Sequence, residues 1–228
     1  MNFKGIDFKT EWLEYPDLAP TLKSLGVPPN DSKDPEYYTD YTSPAIQYDD
    51  GSFGMDSIQI ARELEKRYPS PPLHLDNPIV ANFSLAKFQR PLVPHVVSKV
   101  LGRLLSERSA DYFRRTREDK FGMPLAQVDE RATEERWEEA KDGVKELVDL
   151  LKKNGGPYIL GETGKHYKTI LNDECFGRNA DELIVSYADF ILVSFIAFLK
   201  RVDEEVFKRF IALDDSLEKV YKATEKWL

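Results

Sequence analysis

The sequence predicts a small mixed α/β domain followed by an all-helical domain. Up to about residue 78 the chain is rich in Pro, Asp and Tyr and its apolar residues alternate over short segments. Beyond that point they recur three and four apart for long stretches. Residues 43–55 carry a hairpin signature around Asp49-Asp50-Gly51, and residues 186–200 are apolar on nearly every side. Charge removes other classes: 32 Lys and Arg against 40 Asp and Glu give a net −8, which leaves no basic stripe for a nucleic acid. The longest apolar run, 190–199, is shorter than the roughly 20 residues a membrane-spanning helix needs. A soluble, cytoplasmic protein is the expectation. The lone Cys175 allows no intrachain disulfide, and His74, His95 and His166 show no ligand spacing, so no metal is expected.

Each element has its own signal. Residues 8–15 mix β-branched and aromatic side chains with charges and stop at Pro16, which predicts a strand. Residues 18–25 predict a short helix ended by Gly26. Two strands then flank Asp-Gly, which supplies the positive φ angles of a tight turn. Asp56-Ser57 opens a helix reaching about Tyr68, with Ile58, Ala61 and Leu64 at helical spacing, and Pro69, Pro71 and Pro72 stop it. In the second domain, Val93, Val97, Leu101, Leu104 and Leu105 predict one long helix with a kink at Pro91 or Pro94. Trp137, Ala140, Val144, Leu147, Val148 and Leu151 predict another. The run from Ser186 to Lys200 tolerates helix only if other helices surround it, so it is the predicted centre. Ser186 and Asp189 form a capping-box signature, with Val185 and Phe190 spaced as a hydrophobic staple. Short helices are predicted over 204–211 and 216–227.

Taken singly, Pro44 is a strand-edge proline and Asp56-Ser57 a helix start. Combined with the hairpin and the Ser-x-x-Asp box, they form a pattern that resembles the glutathione transferase family. The resemblance runs through Ser43-Pro44-Ala45-Ile46, Asp56-Ser57-Ile58-Gln59-Ile60-Ala61, Gly156-Pro157-Tyr158-Ile159-Leu160-Gly161-Glu162 and Ser186-Tyr187-Ala188-Asp189-Phe190. Residues 9–17 and 112–122 are similar to its fungal branch related to bacterial β-etherases. The resemblance implies an incomplete thioredoxin-like glutathione-binding domain over residues 1–78. An all-helical bundle over 79–228, with an insert at about 163–185, would follow. It also implies glutathione as co-substrate. A cis bond before Pro44 would turn the Ser43 N–H and C=O outward to pair with the cysteinyl backbone. The γ-glutamyl carboxylate would sit at the start of the Ser57 helix, and Asp56 would hold the α-ammonium group. The plainer alternative stays open: Ser57 caps its helix and Asp56 favours the dipole. A small hydrophobic electrophile or ether as second substrate, a role in detoxification and a homodimer are further implications.

By the same resemblance, thiol activation depends on a Ser, Tyr or Cys near the first strand or first helix. The opening Asn2-Phe3-Lys4-Gly5-Ile6 is similar to the end of that helix, so the preceding segment is expected to be absent and no catalytic residue is assigned. Tyr15, Tyr37, Tyr38, Tyr41, Ser43 and Cys175 lack the required context. The insert is open to two readings, a functional lid or an intron retained at Gly164-Lys165. The expected function is conjugation of glutathione, or its use in ether cleavage. The alternatives are a non-catalytic binder of glutathione or hydrophobic ligands, and a wrongly assembled fragment of an active transferase. The charged run 114–120 is read as a solvated face, and Phe83, Phe88, Tyr112 and Phe113 as core more than as pocket.

Overall fold

The computed structural model describes residues 1–33, 37–161 and 184–228. The expected insert, with Cys175 and Gly164-Lys165, lies outside the described residues except at Ile184 and Val185.

The chain starts with a 3-10 turn, Asn2–Lys4, closed by Gly5 at φ 62°. The Lys4 side chain, only 2% exposed, pairs with Glu65 at 2.9 Å and donates to the Tyr68 and Pro71 carbonyls at 2.6 and 2.8 Å. Beside it, Phe3 packs its ring against Phe190 and Trp227 at 5.3 and 5.1 Å. The strand predicted over 8–15 does not form. Among the described residues, Asp7 to Leu13 make no backbone hydrogen bonds, and Trp12 is 90% exposed. The reason is the nature of a strand: its N–H and C=O groups need a ladder, and no neighbouring strand is within reach. The described sheet has two strands, β1 (Ala45–Gln47) and β2 (Phe53–Met55), antiparallel with Ala45 opposite Met55, Ile46 opposite Gly54 and Gln47 opposite Phe53.

Helix α1 (Leu18–Ser24) stops before Gly26, whose φ of 75° a side chain would resist. The hairpin turn departs from the two-residue form the sequence suggests. Only Gly51, at φ 82°, is left-handed; its N–H reaches the Tyr48 carbonyl at 3.0 Å, while Tyr48 N–H reaches the Ser52 carbonyl at 2.8 Å. Asp49 and Asp50 stay in ordinary conformations because Arg67, at the end of α2 (Ser57–Arg67), fixes the loop from outside. It reaches their carboxylates at 3.1 and 2.7 Å and lies 4.2 Å over the Tyr48 ring. Bonds from Ser52 and Arg67 hold the Asp50 carboxyl down to about 2.

The helical part consists of α3 (Pro78–Ala81), α4 (Ala86–Val96), α5 (Lys99–Arg103), α6 (Glu107–Phe121), α7 (Leu125–Asp129), α8 (Glu134–Lys153), α9 (Tyr187–Val202), α10 (Glu204–Ile211) and α11 (Asp215–Thr224). The long helix predicted through 93–105 is two helices broken at Val97-Ser98, and Leu104 is 41% exposed. Neither proline makes the break: Pro91 and Pro94 are buried inside α4. Pro91 has no N–H to offer the Lys87 carbonyl. There α8 comes close, since a Cβ built on Gly143 would lie 2.8 Å from the Lys87 carbonyl carbon and oxygen. All six predicted residues of the other long helix, α8, are buried.

The predicted centre forms on one face of α9 only: among the described residues Ser194 is exposed and Tyr187, Phe190, Ile191, Ala197 and Phe198 are half-buried, so helices do not surround α9 on every side. Leu192, Val193, Ile196 and Leu199 of α9 are 0% exposed, as are Leu92, Phe210 and Leu217 from the helices around them. The capping box forms: Asp189 accepts from the Ser186 N–H and hydroxyl at 2.8 and 2.7 Å, and its other oxygen accepts from Ile159 N–H at 2.8 Å. Phe190, spaced for a staple with Val185, instead brings its ring to Phe3 and Trp227. Burial outweighs the three donors at Asp189 and pushes its carboxyl from 3.8 to about 6.

Two outcomes follow. Gly143→Ala gains helix propensity but must separate α8 from α4, so a net loss of about 1–2 kcal/mol is expected by urea unfolding; an unchanged or higher midpoint would contradict the close approach. Asp189→Asn leaves buried donors unsatisfied and should lose about 2–4 kcal/mol. In the wild type the folded state keeps a proton on Asp189 that the unfolded chain releases between pH 3.8 and about 6. The stability this group contributes therefore falls as pH rises through that window. The Asp189→Asn penalty should be larger at pH 5 than at pH 7.

Candidate functional site at the start of α2

The hairpin register assembles the candidate residues. Ala45 stands opposite Met55 as the last pair of the ladder, so Pro44 and Ser43 lead into it on one strand while Asp56 and Ser57 leave it on the other. Thr42 N–H points at the Met55 sulfur, 3.3 Å away, which keeps the two chain ends together. The Ser43–Pro44 bond is cis. Ser43 and Pro44 are exposed, and the Ser43 N–H and C=O have no hydrogen bond among the described residues. The β1 edge away from β2 is likewise without a strand.

Asp56, not Ser57, is the helix cap. Its Oδ1 accepts from the N–H groups of Ile58 and Gln59 at 3.0 and 3.3 Å, and its carbonyl accepts from Ile60 N–H at 2.9 Å. Ser57 is the first helical residue, with an exposed side chain. The plainer alternative for Ser57 is thereby corrected, because cap geometry places the acceptor one residue earlier. Asp56 caps from φ 71°, ψ 129°, outside the usual range for a residue with a side chain. A conformation of this kind costs on the order of 1–3 kcal/mol and persists only where surrounding structure enforces it. The cap uses Oδ1, and Oδ2 has no partner among the described residues. The Ser57 N–H and hydroxyl stand at the positive end of the helix dipole.

A residue from the helical part completes the surroundings. Tyr187, the first residue of α9, donates its N–H to the Leu73 carbonyl at 2.9 Å, and its half-buried phenol interacts with the Ser57 hydroxyl. Burial, reinforced by the Asp56 charge, raises the phenol above its ordinary range although Ser57 pulls it down. The sequence signal for Tyr187 was its place directly after the Ser186 cap, but contact with Ser57 is not a local property.

The other candidates lie elsewhere. The Tyr15 phenol accepts from Arg117 at 3.2 Å, and Tyr37 donates to Asp40 at 2.7 Å. Tyr41 packs against the small core of Leu22, Val27 and Met55. Phe88 and Phe113 are buried in the large core, whereas Phe83 packs at its margin and Tyr112 is half-buried beside Tyr15. Among the described residues no group of His, Cys, Asp and Glu could hold a metal ion, and no helix is long and apolar enough to cross a membrane.

Similarity to known proteins matches this geometry. The family model of the glutathione S-transferase C-terminal domain matches residues 78–227. The glutathione S-transferase-like protein ustS of Aspergillus flavus is 30% identical over 249 residues, spanning 100% of this chain and 81% of that protein. Glutathione transferase GSTFuA2 of Phanerochaete chrysosporium superposes with a TM-score of 0.79 at 28% identity, over 99% of this chain and 86% of that one. CsGST63524 of Ceriporiopsis subvermispora, a glutathione S-transferase solved in complex with glutathione, gives 0.77 at 31% identity with the same coverage. A thioredoxin-like hairpin and helix, an all-helical second domain with its capping box, and these matches together place the chain in the glutathione transferase family.

Proposed function

We propose that this protein binds glutathione at Ser43, Pro44, Asp56 and Ser57, within a domain comprising residues 1–78, and presents its sulfur to a hydrophobic electrophile or ether. One observation carries the reading: the unpaired backbone of Ser43 lies beside a helix start that offers both an N–H and a carboxylate oxygen. Glutathione is an extended peptide whose γ-glutamyl end bears an ammonium and a carboxylate on one carbon. The cysteinyl backbone pairs with Ser43 as an added strand. The carboxylate takes the Ser57 N–H and hydroxyl, favoured by the dipole, and the ammonium meets Asp56 Oδ2. The glutathione complex of the Ceriporiopsis subvermispora relative supports the choice of ligand.

These residues bind and orient; conjugation also requires a donor that lowers the thiol pKa. A second reading is that the site binds glutathione without turnover: Tyr37 donates its O–H to Asp40, whereas Tyr15 accepts from Arg117 and keeps its own O–H to donate. Glutathione-dependent conjugation of an aryl halide supports the first reading, and ligand uptake without product supports the second. A homodimer and a cytoplasmic setting complete the proposal, the dimer being open to sedimentation.

Asp56→Asn separates ligand binding from capping. Its amide oxygen still accepts at Oδ1 and Asn tolerates the left-handed backbone, so unfolding should stay close to wild type. Loss of the charge should weaken glutathione binding in calorimetry at least tenfold, about 1.4 kcal/mol. Asp56→Ala should lose about 1 kcal/mol of stability as well. Wild-type affinity in Asp56→Asn would remove Asp56 from the site.

A further inference from the structure

Tyr187 ties the helical part to both ends of α2. As the first residue of α9 it carries one of the amide groups that no helical carbonyl satisfies. That N–H donates to the Leu73 carbonyl at 2.9 Å, and the Leu73 N–H in turn reaches both oxygens of Glu65 at 3.1 Å. Glu65 lies in the last turn of α2 and also pairs with the buried Lys4 ammonium at 2.9 Å. The Tyr187 backbone is therefore fixed from one side by Leu73 and from the other by the Ser186 and Asp189 box.

The side chain serves the opposite end of α2. Its ring packs, half-buried, against the large core, and its phenol interacts with the Ser57 hydroxyl within the field of the Asp56 carboxylate. Burial raises the phenol above its ordinary range, so the O–H keeps its proton at neutral pH. Each of the two hydroxyls has one O–H to donate and lone pairs to accept with. With no anion present, either can donate to the other. A carboxylate at the Ser57 amide removes that freedom, because it can only accept and its charge makes the bond it receives the stronger one. Ser57 then donates to the anion and accepts from Tyr187.

We propose that Tyr187 is a positioning residue of the γ-glutamyl subsite: its phenol donates to Ser57 Oγ and so turns the Ser57 O–H onto the α-carboxylate of the γ-glutamyl group. The inference rests on the glutathione reading and adds to it a residue of the helical part. Donors in series, from Tyr187 to Ser57 to carboxylate, polarise and strengthen one another. The series selects for the carboxylate, not for the ammonium or the cysteinyl backbone, which fall to Asp56 and Ser43. Tyr187 acts through Ser57 and not on the ligand itself.

Calorimetry on the full chain with two ligands tests this: glutathione, and γ-aminobutyryl-cysteinylglycine, which keeps the ammonium and lacks the carboxylate. Tyr187→Phe retains the ring in the core and the N–H to Leu73. It should weaken glutathione about fivefold and leave the analogue unchanged. Ser57→Ala should weaken glutathione at least as much, and adding Tyr187→Phe to Ser57→Ala should weaken it no further. Unchanged glutathione affinity in either single variant, equal weakening of both ligands in Tyr187→Phe, or full additivity in the double variant would overturn the proposal. Where the analogue binds too weakly to titrate, the double variant alone decides. Asp56→Asn separates this inference from the reading it rests on, since it should weaken both ligands through the ammonium they share. If it does so and Tyr187→Phe changes nothing, only the role of Tyr187 fails. If glutathione keeps its wild-type affinity in Asp56→Asn, the site reading fails and the role of Tyr187 with it.

Discussion

Three donors converge on the Asp189 carboxylate in the driest part of the molecule. Two belong to Ser186 and start α9; the third, Ile159 N–H, belongs to the segment after α8. The Ile159 carbonyl in turn accepts from the Asn154 side chain at 2.5 Å, so the end of α8 and the start of α9 are fastened to one polar point. A helix whose sequence is apolar on nearly every side gives only a weak stripe to fix its rotation or its starting residue. The capping box supplies that information, and the core closes around the result. Rotational placement of α9 also decides where Tyr187 points, and Tyr187 meets Ser57. The buried carboxylate is thereby linked to the candidate site through one residue of backbone.

The site itself is a product of hairpin register and helix capping. A short ladder ending at Ala45 and Met55 brings the segment before β1, with Ser43 and Pro44, and the segment after β2, with Asp56 and Ser57, to the same end of the hairpin. Asp56 then serves two needs with two oxygens. One satisfies the helix amides, and the other is left for a ligand amine beside the dipole that attracts a ligand carboxylate. The left-handed backbone at Asp56 fits such a dual role, since strain of this size is retained where position matters more than stability.

Much of this was legible in the sequence wherever the determinant is local. The capping box at 186–189, the α8 stripe from Trp137 to Leu151 and the hairpin at 43–55 are specified by residues a few positions apart. The family resemblance adds the cis bond before Pro44. Elsewhere local signals mislead. Residues 8–15 have the composition of a strand, but a strand is a property of a pair, and no strand stands beside it among the described residues. The break at Val97-Ser98 carries no helix breaker, while the two prolines that suggest one sit inside α4. Cap assignment at Asp56-Ser57 turns on a backbone angle that either residue could have adopted. The contacts of Tyr187 with Ser57 and of Tyr15 with Arg117 join distant stretches of sequence, for which composition holds no signal.

The most direct test of the central claim is a crystal structure of this protein with glutathione. The expected result is a cysteinyl backbone paired with the N–H and C=O of Ser43, the γ-glutamyl carboxylate at the Ser57 amide and hydroxyl, and the ammonium within hydrogen-bond distance of Asp56. Glutathione bound elsewhere, or a Ser43 backbone left unpaired with the ligand present at saturation, would contradict it.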